Sequence, residues 1–340
     1  MGNNILVTGG AGFIGSNFLR DRLFNASDDI FVNVDAITYA GNLENLKEIS
    51  EKENYIFEKA NIEDELKIED ICKKYKINGI INFAAESHVD RSISNSKPFI
   101  NTNVLGTLNL LEISRKLEIE NYLQVSTDEV YGSLGETGAF TENSQIQPNS
   151  PYSASKASAD HLVHSFGHTY GMNVKITRCS NNYGPYQFPE KLIPLMINNA
   201  LENKDLPVYG DGKNVRDWLY VSDHCDAIWE VFNNGSSGEV YNIGGNCEKQ
   251  NIEIVELLLE MLDKPKSLIK YVKDRPGHDE RYAIDNKKIT SELNWEPKIN
   301  FTDGIKMTLD WYLQNKSWSD NVRSGAYLDF YKKWYGELEK

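Results

Sequence analysis

Leu6-Val7-Thr8-Gly9-Gly10-Ala11-Gly12-Phe13-Ile14-Gly15 is the stretch on which the reading of the whole chain turns. An apolar β-like run, Asn4–Thr8, leads into it, and Ser16–Phe24 follows with apolar residues at helical spacing. The glycines at 9, 12 and 15 each have a physical task. Gly9 permits a tight turn, Gly12 lets backbone approach a pyrophosphate, and Gly15 lets the helix lie close on the strand. The helix start offers N–H groups and a positive dipole end to phosphates, with Phe13 and Ile14 beside them. Glycines serving only a tight turn would show the same spacing. Asp35 separates the two cases. It ends the next apolar run, Ile30–Asp35, 20 residues beyond Gly15, where a carboxylate meets a ribose 2′-hydroxyl. That carboxylate repels a 2′-phosphate, and Ala36-Ile37-Thr38 supplies no Arg to hold one, so NAD is expected rather than NADP.

Outward from this unit the alternation continues. Strands are expected at Tyr55–Lys59, Gly79–Ala84, Tyr122–Ser126 and Val174–Arg178, and helices at Pro98–Glu118 and Ser153–Tyr170. Strand–helix alternation implies an α/β protein, a Rossmann-type doubly wound parallel sheet with helices on both faces. After Asn181 the texture changes: Pro185, Pro189, Pro194, Pro207 and Gly210-Asp211-Gly212 punctuate short segments. A smaller α+β substrate-binding domain is expected there. Residues 1–180 plus roughly 215–247 are assigned to the NAD-binding domain, and 181–214 plus roughly 248–340 to its partner.

A chain of 340 residues suffices for two such units. No apolar run reaches the length of a membrane span, and no basic n-region with a cleavage site opens the chain. A cytoplasmic protein is expected. With 36 basic and 50 acidic residues the net charge is −14, which repels nucleic acid and anionic membrane but spares a small anionic ligand met by local cations. Cys72, Cys179, Cys225 and Cys247 form no CxxC pair and read as buried free thiols.

Two segments carry proton chemistry. Ser126-Thr127-Asp128-Glu129-Val130-Tyr131-Gly132 leaves the C-terminal end of an expected central strand, where open α/β sheets bind ligands. Asp128 and Glu129 side by side can take opposite proton-transfer roles if their surroundings differ; a solvated acidic turn is the bland reading. Tyr152 and Lys156 open a helix at i,i+4, on one face. A phenol needs a nearby cation to act as a base near neutrality, and Lys156 or a positive nicotinamide can supply it. The same pattern recurs at Tyr55/Lys59, Tyr209/Lys213 and Tyr312/Lys316. Position after the Thr127 strand selects the Tyr152 pair.

The segments TGGAGFIG, AAESHVD (Ala84–Asp90), STDEVYG, YSASKA (Tyr152–Ala157), SNNYGPYQFPEKLIP (Ser180–Pro194), RDWLYVSDH (Arg216–His224) and DRPGHD (Asp274–Asp279) occur in that order. Together they resemble the nucleotide-sugar 4,6-dehydratases of the extended short-chain dehydrogenase/reductase family. The resemblance implies a hydro-lyase with tightly bound NAD, dTDP-glucose as the small-molecule substrate, and a homodimer. In the implied mechanism Tyr152 takes the 4-hydroxyl proton with Thr127 beside it, Glu129 removes the C5 proton, and Asp128 protonates the departing C6 hydroxyl. Cofactor contacts are implied at Gly9, Gly12, Phe13, Ile14, Gly15, Asp35, Ala36, Ile37, Thr38, Asn61, Ile62, Phe83, Ala84, Ala85, Glu86, Ser87, Thr102, Tyr152, Lys156 and Asn182. Substrate contacts are implied at Ser87, Thr127, Asn181, Lys191, Leu192, Pro207, Val208, Tyr209, Arg216, Asn251, Asp274, Arg275 and His278, with Lys191, Arg216 and Arg275 near the diphosphate. Asn61 departs from an Asp usual in the family, and Glu280 stands where a basic residue is frequent.

Two other readings remain open at this stage. A UDP-sugar epimerase or decarboxylase would use Tyr152 and NAD alike but leave Asp128 and Glu129 idle. A nucleotide sensor would bind NAD and turn over nothing. His161, His164 and His168 share a helix face that suits a partner subunit better than a metal, and no metal is expected. Tyr327, Phe330, Tyr331, Trp334 and Tyr335 read as a packed terminal helix.

Overall fold

The computed structural model describes residues 2–25 and 28–323, so the terminal aromatic cluster at 327–335 lies outside the described residues. Among the described residues twelve strands follow one another: β1 (Asn4–Thr8), β2 (Ile30–Asp35), β3 (Tyr55–Lys59), β4 (Gly79–Asn82), β5 (Asn121–Thr127), β6 (Val174–Cys179), β7 (Asn181–Tyr183), β8 (Leu206–Tyr209), β9 (Val215–Tyr220), β10 (Val240–Ile243), β11 (Glu248–Gln250) and β12 (Ile269–Val272). Seven of them form one sheet in the order β10-β6-β5-β4-β1-β2-β3, every neighbouring pair parallel.

The sheet forms because its strands are apolar on both faces. Ile5 and Val7 join Phe31, Ile81 and Leu123 in one core, while Leu6 joins Val32, Val34, Ile80 and Ile176 in the other. This is the two-residue alternation of a strand whose two sides are both covered by helices. A polar ladder crosses the centre: Thr8 Oγ1 donates to Asn82 Oδ1 at 2.5 Å, and Asn82 Nδ2 donates to Gln124 Oε1 at 2.9 Å. The chain runs from β1 to β2 and β3 on one side and from β4 to β5 and β6 on the other. The reversal opens a crevice at the C-terminal ends of β1 and β4, the place where such sheets bind ligands.

A second body of structure covers that crevice. The β11-β9-β7 sheet and the β12-β8 pair pack with helices Leu192–Leu201, Asn251–Met261 and Phe301–Gln314 around Ile193, Met196, Ile254, Leu258, Ile305, Leu309 and Trp318. The chain enters this part at β7 and returns to the large sheet for β10. It then leaves again for β11.

Three expectations shift in detail. The helix expected over 98–118 is interrupted: Ile100–Gly106 is a π-helical segment before the α-helix Thr107–Lys116. Within this segment the Asn103 side chain bonds the Glu86 backbone N–H and carbonyl and Ser155 Oγ. The helix expected from Ser153 starts at Pro151, with Ser150 and Ser153 in a reciprocal capping box. Of the four cysteines, all free, Cys247 is only partly buried.

Candidate active site

A cleft of about 300 Å³, partly open to solvent, lies over the ends of β1, β4 and β5. The glycine-rich turn forms one wall. Gly9 has φ +70, and a Cβ there would stand 2.7 Å from the Ala84 nitrogen. A Cβ on Gly15 would meet the Gly9 carbonyl at 2.5 Å, so this glycine lets the helix Phe13–Phe24 seat against its own turn. Gly12 caps that helix without a side-chain hydrogen bond, leaving the helix start to the cleft that Gly12, Phe13, Ile14 and Gly15 line. These features fit a dinucleotide diphosphate.

Asp35 lines the cleft and is buried. Burial raises its pKa, and backbone N–H groups of Ile37 and Ala11, at 2.8 and 2.9 Å, oppose the rise. These bonds orient the carboxyl and leave it further lone pairs for a ribose hydroxyl. Of the implied cofactor contacts, Ile37 is absent from the lining. It adopts φ 52, turns its N–H back to Asp35 and packs its side chain against the core. The other implied cofactor residues line the cleft, including Ala36, Thr38, Asn61, Ile62, Phe83 to Ser87, Thr102 and Asn182. Asn61 is exposed, and its Oδ1 accepts from the Glu63 N–H at 3.0 Å.

The proton-transfer residues share this cleft. Thr127, Asp128, Glu129, Tyr152 and Lys156 all line it. Thr127 ends β5 and caps the short 3-10 turn Asp128–Tyr131, accepting from the Glu129 N–H at 3.3 Å. Asp128 is 2% exposed; Thr127 Oγ1 donates to its Oδ1 at 3.3 Å, and its Oδ2 is buried without a partner among the described residues. Burial pushes this carboxyl well above the carboxylate range, and Glu129 and Asp217 add to the rise against a weaker pull from Arg216. Glu129 is raised by burial too, but Arg275, Lys191 and Arg216 draw it back. Two adjacent carboxyls thus differ as an acid and a base must.

Tyr152 is 8% exposed, with the Thr127 hydroxyl beside it. Burial and then the Glu129 charge raise the phenol well above its ordinary value, against a slight lowering by Thr127, so it holds its proton. The cation expected to favour phenolate is engaged elsewhere: Lys156 Nζ donates to the Val125 carbonyl at 2.8 Å. Burial lowers the Lys156 pKa, and Asp160, one turn along the helix, opposes this. Asp160 pairs in turn with Arg178 at 2.9 Å, and Arg178 Nη1 donates to the Tyr131 hydroxyl at the end of the catalytic turn.

The implied substrate contacts divide into two groups. Ser87, Thr127, Asn181 and Lys191 line the cleft. Leu192, Pro207, Val208, Tyr209, Arg216, Asn251, Asp274, Arg275 and His278 do not. Val208, 2% exposed, points into the second core, as does Leu192, because a strand or helix residue on the apolar face cannot also face a ligand. Asn251 is occupied in the backbone as the first residue of its helix, its N–H bonded to the Asn214 carbonyl. Others form a cluster beside the cleft. Arg275 Nη1 and the Tyr209 hydroxyl both donate to Asp90, each at 2.9 Å, and His278 bonds Asp274 at 2.6 Å. Arg216 donates to the backbone carbonyls of Val215, Asp279 and Glu280. Glu280 acts through its backbone here, and its side chain is exposed. Among the residues that sequence reading passed over, Asn103, Gln187, Phe188 and Cys179 hold or line the walls. For Asn103 the signal was an amide on the buried side of an apolar helix.

The outer face of the helix Pro151–Tyr170 exposes His161, His164 and His168. No cluster of His, Cys, Asp or Glu fit for a metal occurs among the described residues, and no described helix is long and apolar enough to cross a membrane.

Comparison with known proteins shows what the chain is similar to. A family profile described as GDP-mannose 4,6 dehydratase matches residues 6–308. A protein of Xanthomonas campestris pv. campestris (strain B100), named dTDP-glucose 4,6-dehydratase, is 54% identical, covering 95% of this chain and 96% of its own. The crystal structure of dTDP-glucose 4,6-dehydratase from Bacillus anthracis str. Ames in complex with NAD is similar at TM-score 0.89 and 53% identity, covering 94% of this chain and 99% of that one. The Streptomyces venezuelae enzyme of the same name, solved with NAD bound, gives TM-score 0.91 at 44% identity and the same coverages.

Proposed function

The chain belongs to the dTDP-glucose 4,6-dehydratase family, and from that premise we propose that it converts dTDP-glucose to dTDP-4-keto-6-deoxyglucose and water with resident NAD. When bound, NAD supplies a reversible hydride acceptor, taking hydride from C4 and returning it to C6, and a positive ring that offsets the forces holding the Tyr152 proton. Gly9, Gly12 and Gly15 would accommodate its diphosphate, and Asp35 its ribose.

The chain's own residues then divide the proton work. Tyr152 takes the 4-hydroxyl proton, with the Thr127 hydroxyl beside it. The resulting 4-ketone acidifies C5–H, and Glu129 accepts that proton and gives one back to C5 when C6 is reduced. Asp128, kept neutral by burial, donates to the C6 hydroxyl as it departs as water. The observation that carries the reading is this unequal pair of carboxyls lining the cleft with Tyr152, Asp128 buried and Glu129 half-buried; an epimerase has no use for it. Lys191, Arg216 and Arg275 are the cations nearest in charge to Glu129 and are assigned to the substrate diphosphate.

The test feeds dTDP-glucose deuterated at C4. Deuterium recovered at C6 of the product is expected; solvent hydrogen there would defeat the internal transfer. By the same family reading, residues 1–180 with roughly 221–247 hold the cofactor and the remaining chain, which includes β9 with Arg216, holds the sugar nucleotide. The expected start of the return segment at about 215 moves past β9 because that strand pairs with β7 and β11. The enzyme is assigned to the cytoplasm, which suits four free cysteines. It is also assigned to a homodimer joined through the helix Pro151–Tyr170, and sedimentation equilibrium giving one chain mass would reject that assignment.

A further inference from the structure

The redox cycle proposed above is closed, so the cofactor has no reason to leave between turnovers. Outside the catalytic set, one group of side chains ties segments of the cleft wall together with no role in the chemistry. Tyr39 lies between Thr38 and Ala40, which both line the cleft. The Arg91 guanidinium sits 4.1 Å from the centre of the Tyr39 ring. The same guanidinium grips Glu190 with both Nε and Nη2, at 3.0 and 2.8 Å. Phe188, a lining residue, meets Tyr39 edge-on at 5.7 Å, and the Tyr39 phenol lies within electrostatic reach of Glu86, which also lines the cleft. Two more bonds sew the same segments together: His88 Nε2 with the Glu190 carbonyl at 3.3 Å, and Lys191 Nζ to the Ser87 carbonyl at 3.0 Å.

Three separate stretches, 38–41, 86–91 and 187–191, each contributing lining residues to the cleft, are thereby tied to one another behind its wall. Glu190 is 6% exposed and Arg91 20%, so the ion pair is shielded from water. A guanidinium held between a carboxylate and an aromatic face resists separation, because opening the group loses both partners together.

We propose that Tyr39, Arg91, Phe188 and Glu190 form a clasp that retains NAD between turnovers, so that the cofactor enters or leaves only when the clasp opens. This rests on the NAD reading above. Glu190→Gln removes the charge that Arg91 grips, and Tyr39→Ala removes the ring beneath it.

The full-length wild type and both variants are loaded with NAD, and stopped-flow mixing measures association and release. Bound NAD is also quantified per chain after gel filtration. Release at least about tenfold faster in each variant is expected, a change of about 1.4 kcal/mol in barrier. A clasp slows entry as well as exit, so association should quicken too. Faster release with unchanged association would reduce these residues to ordinary contacts and overturn the proposal, as would wild-type kinetics in both variants. If Glu190→Gln does not fold, as judged by its melting curve in saturating NAD, Tyr39→Ala decides alone. A wild type that binds no NAD would instead sink the cofactor reading itself.

Discussion

Asp128 and Asp160 are equally buried, at 2% exposure, yet the fold gives them opposite company. Asp160 faces the Arg178 guanidinium at 2.9 Å, with Lys156 one helical turn away. Asp128 faces Glu129 and Asp217, and among the described residues no ammonium or guanidinium donates to it. A carboxylate with a cation is a fastening, here between the helix Pro151–Tyr170 and β6. A carboxyl among carboxyls keeps its proton and is ready to give it away. The contrast locates the chemistry without reference to any motif: partners are present where the scaffold must hold and withheld where a proton must move.

Removing charge from the reactive region tests that contrast most severely. Glu129→Gln should lower dehydration by about 10²–10⁴-fold, the range for one placed general base. Product formation followed by rapid quench and chromatography measures it, and an epimerase would keep most of its turnover. On the fastening side, Arg178→Met should destabilise the fold by about 3–5 kcal/mol, because Asp160 stays buried without its cation. Urea unfolding checks this, and adding Asp160→Asn should recover part of the loss.

Asp128→Asn sharpens the comparison through pH. Burial and like charge raise the folded carboxyl above its unfolded value. The stability tied to its neutral form is therefore complete below the unfolded pKa and is lost as pH rises through the folded one. The melting-temperature difference, Asp128→Asn minus wild type, should grow from acid towards alkaline pH; a flat difference would mean that Asp128 is solvated. The smallest effect belongs to the frame. Ser150→Ala, which removes the cap of the helix bearing Tyr152 and Lys156, should cost about 1 kcal/mol by the same urea assay.

Much of this was legible in the sequence because it depends on local spacing. Glycines 9, 12 and 15 fix a turn, apolar runs with two-sided burial fix strands, and Asp128-Glu129 at a strand exit marks the crevice. What escaped depends on contacts distant in the chain. The Ile37 side chain turns away because Asp35 captures its N–H. Lys156 reaches the Val125 carbonyl rather than acting on the phenol, a pairing 31 residues apart. Arg275 is held by Asp90 across 185 residues, which no local pattern encodes. The seventh strand of the large sheet, β10, escaped because its four residues, Val240–Ile243, alternate apolar and polar weakly and follow the second body of structure in the chain, where strand–helix alternation no longer points back to the large sheet.

That late strand has a kinetic consequence. Since β10 returns to pair with β6 only after β7, β8 and β9 have been laid down elsewhere, the large sheet cannot finish until most of the polypeptide has been synthesised. Such long-range closure lengthens the search for the native state. Truncation anywhere before Val240 should therefore leave an open, sticky sheet edge at β6 rather than a free-standing fragment.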